Sequence, residues 1–432
     1  MDFNTRDMEV YKFGGASVKG AEAVRHVAQI LAREQGPKVL VFSAMGKTTN
    51  ALEALLDAFF HQAPDRAEAF KKLMTDHIAI FQALFTPDTE RYKRVQQLLR
   101  ERFEQLYQRL LEAAVLPYDQ AYDNIVSYGE RLSTLLIVNY LQESGLPVEL
   151  LDAADLIRTD SRYREAGVQW ETTVRQIRAA VLPLLAQGKW VLTQGFIGGD
   201  GQGHTTTLGR EGSDYSAAIL AHSIDARQMT IWKDVPGVLN ADPKYFSNTC
   251  KLAHISYSDA TELAYFGASV IHPKTIKPLQ NKHIPLYVRS FIQPDEPGTW
   301  VGLDDVEHTV VPSYIFKPNQ ILLSVYPKDF SFIEEIGLAR IFDLLARYGM
   351  KVNLMQNSAL SFSLCLDGAK GRFAELLGAL SAEFDCVYNE GVDLVTIRHY
   401  TQAVVEQMVA GRAVLLEQRT RHTVQLVVAS KA

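Results

Sequence analysis

Cysteine is scarce: the chain has three, Cys250, Cys365 and Cys386, far apart and without a CxxC pair. That excludes a disulfide framework and a zinc-ribbon ligand set. No apolar run approaches the roughly 18 residues a membrane-spanning helix needs. No block of lysine and arginine stands out, and the formal charge is −6, so neither nucleic acid nor an anionic membrane is an expected partner. The N-terminal stretch MDFNTRDMEVYKF is charged and lacks the apolar core of a signal peptide, so a reducing cytoplasm is the expected setting. His26, His204, His254, His272 and His283 show no HExxH or other ligand spacing, and no metal site built from protein side chains is expected. Two nucleotide-binding patterns are missing as well. Gly14-Gly15 is not the GxGxxG of a dinucleotide-dependent dehydrogenase. Gly46-Lys47-Thr48 lacks the earlier glycine of a P-loop, because position 41 is Val41.

What is present is an ordinary balance for a folded chain, 47% apolar and 22% charged over 432 residues, enough for two or three domains. Met8–Phe13, Lys38–Phe42, Val148–Leu151, Trp190–Thr193, Met229–Trp232 and Pro285–Val288 read as strands. Helical patterns lie between several of them, Val18–Arg33 first, so a mainly parallel sheet covered on both faces is expected. Residues 50 to about 116 are helical throughout and interrupt that rhythm. They read as an insertion carried on the α/β core, stopped by Pro117. QPDEPG at Gln293–Gly298 is turn-rich, and beyond it short strands and helices restart in a β-α-β-β-α-β order followed by a shorter set. The expected division is a catalytic domain over 1–298 and a second region over 313–432, made of α+β ferredoxin-like units at about 313–380 and 381–432.

Four stretches carry chemistry. Lys12-Phe13-Gly14-Gly15-Ala16-Ser17-Val18 ends the first strand. Two glycines let a phosphate approach backbone N–H groups, the next helix adds its positive end, and Lys12 adds a full charge. The same turn would also serve as a plain tight bend. Gly195–Asp214, GFIGGDGQGHTTTLGREGSD, is too polar and glycine-rich for core and too organised for a linker. It offers backbone donors, hydroxyls and one guanidinium, Arg210, suited to a carboxylate. Ser213-Asp214 reads as a cap opening a helix over Tyr215–His222. Ser127-Tyr128-Gly129-Glu130-Arg131 opens an apolar helix and brings a carboxylate, Glu130. Trp232-Lys233-Asp234-Val235-Pro236-Gly237, followed by Asn240-Ala241-Asp242-Pro243-Lys244, is a strand running into a turn.

KFGGASV, GFIG…TTTLGR.GSDYSAA and the DVPG turn together resemble the aspartate kinases, within the amino-acid kinase family. The resemblance covers nearly the whole chain, most firmly to about Val288. It implies an amino-acid kinase-like α/β sandwich with a mainly parallel central sheet. The implied reaction is transfer of the γ-phosphoryl group of ATP, carried with Mg²⁺, to the side-chain carboxylate of L-aspartate, the first step toward lysine, threonine and methionine. It implies Lys12 and Asp214 as catalytic residues, with Asp214 orienting Lys12 or a metal-bound water. Glu130 would take the substrate α-ammonium and Arg210 the α-carboxylate, with Ser43 and Ser213 as further contacts. Gly14, Gly15, Lys233, Asp234 and Lys244 would hold ATP. Two positions depart from the family: Lys233 replaces a small hydroxyl residue, and Ser269 replaces a common ATP-contacting lysine, for which Lys233 or Lys274 could substitute.

Gly337–Ser358, GLARIFDLLARYGMKVNLMQNS, resembles the helix–turn–strand of an ACT domain. That implies an amino-acid effector, lysine or threonine, near Val352, Asn353 and Leu354, and a homodimer paired through these units. Asn353 stands where lysine-sensing relatives carry Asp, and a neutral amide is a poorer partner for an ammonium. A kinase for another acidic amino acid and a non-catalytic amino-acid sensor are the alternative readings. The sensor would be expected to lose Lys12 or Asp214.

Overall fold

The computed structural model describes residues 7–268, 271–303, 311–329 and 331–430. The chain divides into two compact units. The first comprises Met1–Val238, Ala253–Thr261 and Ile271–Val306; the second comprises Leu239–Leu252, Glu262–Val270 and Glu307–Ala432.

Among the described residues, the first unit is built on an eight-stranded sheet. Its strands are β1 (Glu9–Phe13), β2 (Lys38–Phe42), β3 (Val148–Leu151), β4 (Trp190–Gln194), β7 (Gln228–Lys233), β8 (His254–Ser256), β9 (Leu286–Ser290) and β10 (Thr299–Gly302). A two-stranded arm, β5 (Ile197–Gly199) and β6 (Thr205–Thr207), interrupts the series after β4. The sheet order is β3-β4-β2-β1-β7-β9-β10-β8, parallel throughout except where β10 runs against β9. Every residue of β1, β2 and β4 is buried, as strands covered on both faces must be. This is why those runs read as continuous apolar segments rather than alternating ones.

The insertion is three helices, not one continuous stretch: Thr48–Phe60, Arg66–Leu84 and Glu90–Glu112. The breaks fall at Pro64 and Pro87, and the Thr89 hydroxyl caps the third helix by accepting from Tyr92 N at 3.0 Å. Leu73, Phe81, Leu99, Phe103 and Leu106 join the same buried cluster as Val27, Leu31, Phe42 and Leu136. The insertion therefore shares its core with the sheet.

The second unit is a six-stranded antiparallel sheet of order β12-β13-β11-β14-β16-β15. Its strands are β11 (Ser313–Pro327), β12 (Val352–Asn357), β13 (Phe362–Asp367), β14 (Phe384–Arg398), β15 (Val414–Arg419) and β16 (Thr423–Ala429). Cys386–Tyr388 and Leu394–Arg398 look like separate strands in sequence because Gly391 lies between them. They are one strand. Gly391, at φ +68°, is absorbed as the unpaired residue at the register shift between Gln320 and Ile321 of β11, which pair with Val392 and Glu390. Each end of this shared sheet has its own core. One gathers Leu323, Val325, Ile341, Leu344 and Leu376 beneath helices Glu335–Arg347 and Lys370–Glu383. The other gathers Val395, Ile397, Val405 and Leu426 beneath helix Gln402–Val409.

The stretches 239–252 and 262–268, which the sequence division ran into the catalytic domain, pack with this second unit. The rings of Tyr245 and Phe316 lie 4.8 Å apart and those of Phe246 and Tyr314 lie 5.4 Å apart. Glu262 pairs with Arg398.

Candidate active site

Strands β1, β2, β4 and β7 all end on one side. Their registers align Phe13 with Phe42 and Trp232, and Phe42 with Gln194. The turns that follow, Gly14-Gly15, Ser43-Ala44, Gly195-Phe196 and Asp234, therefore gather at the carboxyl edge, where open α/β sheets bind ligands. A cleft of about 650 Å³ opens there. Lys12, Gly14, Gly15, Ser43, Glu130, Arg210, Ser213, Asp214, Lys233 and Asp234 all line it.

Lys12 is buried, and its ammonium lies 2.6 Å from Asp214 Oδ1. The pair is buried, and both of its members line the cleft. The turn after it is tight. A Cβ on Gly15 would meet Ala44 O at 2.9 Å and Gly46 O at 3.0 Å, and Gly46 N donates to Gly15 O at 3.0 Å. Only glycine lets the β1 and β2 turns approach this closely. Gly195 has the same role: a Cβ there would sit 2.4 Å from the Ser213 side chain.

The helix carrying Asp214 starts earlier than its Ser-Asp pair suggests. It spans Gly212–Ile224 and is preceded by Glu211 in the left-handed region at φ +53°. Ser213 and Asp214 occupy its first turn and do not cap it. Gly212, whose Cβ would meet the Phe196 ring at 2.7 Å, allows the early start. The result aims the helix N-terminus, with its partial positive charge, at the Lys12 turn.

Glu130 sits in the first turn of helix Tyr128–Glu143 and is 3% exposed. Oε1 accepts from Ala44 N at 3.2 Å, and Oε2 has no partner among the described residues. Burial pushes its carboxyl up to about 8, against the opposing pull of the Ala44 N–H and the Lys12 charge. Such a group accepts a proton or an incoming cation. Ser43 is tied at both ends of its backbone, donating to Phe13 O at 3.1 Å and accepting from the Ser133 hydroxyl at 2.8 Å.

Some expected residues are elsewhere. Lys244 belongs to the second unit, in an exposed turn where its N–H donates to Asp242 Oδ1 at 2.9 Å, and it does not line the cleft. Lys274 pairs with Glu165 beside a separate cavity. Ser269 lies outside the described residues. Val352, Asn353 and Leu354 begin β12. Leu354 is buried, and the Asn353 amide is bonded to Lys317, Gln320 and Asp367.

The cleft also contains Tyr122 and Arg164, which no sequence pattern flagged, and Phe196, which lies in the flagged Gly195–Asp214 stretch without having been singled out. Arg164 and Phe196 hold left-handed φ values of +66° and +68°, which non-glycine residues adopt at a cost of about 1–3 kcal/mol. Neither φ has a sequence signal, because a strained φ is imposed by tertiary contacts.

The description of the amino acid kinase family matches residues 7–290. Lysine-sensitive aspartokinase 3 of Escherichia coli is 34% identical over 403 residues, spanning 90% of this chain and 87% of that protein. The chain belongs to the aspartokinase family. Aspartokinase 1 of Arabidopsis thaliana, a chloroplastic protein, is 30% identical over 94% of this chain and 69% of its own length. The fold agrees with the aspartokinases. The structure of E. coli aspartokinase III with lysine and aspartate superimposes with a TM-score of 0.83 at 29% identity, covering 98% of this chain and 96% of that one. The same enzyme with aspartate and ADP gives 0.80 at 30% identity over the same shares.

Proposed function

We propose that this aspartokinase-family chain catalyses ATP + L-aspartate → ADP + 4-phospho-L-aspartate. One observation carries the reading: a Lys12–Asp214 pair at 2.6 Å and a buried, half-satisfied Glu130 face the same cleft as Arg210. A zwitterionic substrate needs one site for its ammonium and one for its carboxylate, and Glu130 and Arg210 supply them.

The nucleophile needs no base, since a side-chain carboxylate with an ordinary pKa near 4 is ionised at neutral pH. The protein has to position two anions and neutralise charge as the phosphoryl group moves. Lys12 stabilises that charge, and Asp214 fixes the ammonium in place. Gly14 and Gly15 admit the phosphates against the backbone, and Lys233 and Asp234 border the nucleotide end. Mg²⁺ carried with the nucleotide would supply further neutralisation of phosphate charge. Asp214 and Asp234 are the cleft carboxylates that would complete its shell.

The second unit binds an amino-acid effector, lysine or threonine, and pairs two chains into a homodimer. Its ACT-like sheet, with outer strands β12 and β15 open at their edges, supports this reading. The cytoplasm is the proposed setting; among the described residues no helix is long and apolar enough to cross a membrane.

The deciding experiment is ATP consumption with a panel of amino acids, aspartate against glutamate first. Turnover with aspartate alone supports the assignment; turnover with glutamate, or with neither, overturns it. Activity unchanged across millimolar lysine and threonine, singly and together, would remove the regulatory part.

A further inference from the structure

Asp123, in helix Tyr118–Val126, is fully buried and has no part in the phosphoryl transfer described above. Its carboxylate accepts from Thr207 N at 2.8 Å, from the Thr207 hydroxyl at 2.7 Å and from Arg164 N at 3.0 Å. One buried carboxylate thereby ties two separate segments together. Thr207 ends the arm that leads through Gly209 to Arg210. Arg164 lies in the loop between the Thr159 and Val168 bridge partners. A further bond, Ala166 N to Thr207 O at 2.9 Å, locks the loop to the arm. A Cβ on Gly209 would meet Arg164 O at 3.2 Å, so the two segments touch immediately beside Arg210.

The bond to Asp123 holds Arg164 at φ +66°, a conformation that an arginine does not choose. The side chain then lies with its guanidinium 4.3 Å from the Tyr122 ring centre, and both residues line the cleft. Its acidic neighbours are weak competitors. Asp119 is 3.5 Å away and Glu53 is 4.0 Å away, and both are about half exposed or more. The cleft thus has two guanidinium groups, Arg164 and Arg210, presented by two segments fastened to one buried carboxylate.

We propose that Arg164 is a second substrate-binding guanidinium, acting with Arg210 on the carboxylate end of the acidic amino acid, and that Asp123 is its positioning residue. This deepens the proposed aspartate kinase reading and rests on it. Strain held by a non-glycine residue that lines a cleft is the expected mark of such a role. A purely structural loop would be satisfied by glycine at this φ.

The test uses the full chain with ATP and aspartate. Arg164→Gly suits the left-handed φ and should fold at least as well as the parent. It should raise KM for aspartate tenfold or more, leaving kcat within about twofold and KM for ATP unchanged, as loss of a charge-assisted contact to substrate requires. Arg164→Gln should do the same, and Arg164→Lys should recover part of the loss. Glu53→Gln, by removing a competitor, should lower KM for aspartate. An aspartate KM within twofold of the parent in both Arg164→Gly and Arg164→Gln overturns the proposal, as does a rise confined to the KM for ATP. A parent chain that does not phosphorylate aspartate overturns the underlying reading instead, so the two failures are distinct.

Discussion

Two polar side chains, buried Glu130 in the first unit and half-buried Asn353 in the second, are treated in opposite ways. In the first, Glu130 is enclosed with one carboxylate oxygen bonded and the other left without a partner among the described residues. In the second, Asn353 is fully engaged. Its oxygen accepts from Lys317 Nζ at 2.8 Å, and its amide nitrogen donates to Gln320 at 2.7 Å and to Asp367 at 2.6 Å. A buried polar atom without a partner costs free energy, so a fold retains one where a ligand will complete it. A closed network instead rigidifies its surroundings. The first pattern is what the proposed ammonium-binding role of Glu130 requires. The second marks a node where an arriving ammonium would meet an amide oxygen already held by a lysine of the same chain.

The comparison can be broken first at Lys12. Lys12→Ala should lower kcat by at least about 10² through lost stabilisation of the moving phosphoryl charge. Hydroxylamine trapping of the acyl phosphate measures it, and near-normal turnover would remove Lys12 from that role. Glu130→Gln should come next, raising KM for aspartate about tenfold or more while altering kcat less. An unchanged KM would take Glu130 out of the pocket.

The same residue sets a pH dependence. The Glu130 carboxyl lies at about 8 in the folded chain against 4.5 ordinarily, and Asp123 lies at about 6 against 3.8, both through burial first. The folded state therefore holds protons that the unfolded state releases, so stability falls as pH rises, from 3.8 to about 6 through Asp123 and from 4.5 to about 8 through Glu130. Urea unfolding followed by tryptophan fluorescence reads the first unit, which contains Trp170, Trp190, Trp232 and Trp300. Glu130→Gln should flatten the upper part of that pH profile; a profile identical to the parent's would contradict the shift. Aspartate binding, which needs the ionised form, should tighten over the same rise in pH and level off above about 8.

The smallest effect belongs to the closed node. Asn353→Leu should destabilise the second unit by about 1–3 kcal/mol, because Lys317 and Asp367 lose their shared partner. Hydrogen exchange should rise in β11, β12 and β13 while the tryptophan-detected transition stays put. Loss of protection in the first unit would mean that the node is not local.

Much of this was legible in the residues themselves. Glycine pairs after strands, a lysine at a strand end, and Arg210 beyond a threonine run reflect local chemistry, and apolar runs bounded by turn residues reflect burial on two faces. These determined the parallel sheet, the composition of the cleft and the antiparallel C-terminal strands. Tertiary structure alone decided the rest. Whether Ser213-Asp214 caps a helix or lies inside it depended on Gly212 meeting the Phe196 ring. Whether Gly391 ends a strand depended on the register shift in its pairing with β11. Arg164 reached the cleft only because Asp123, some forty positions earlier, fixed its backbone. Periodicity records what each segment does with its own neighbours, whereas an enclosed carboxylate draws its partners from anywhere in the chain.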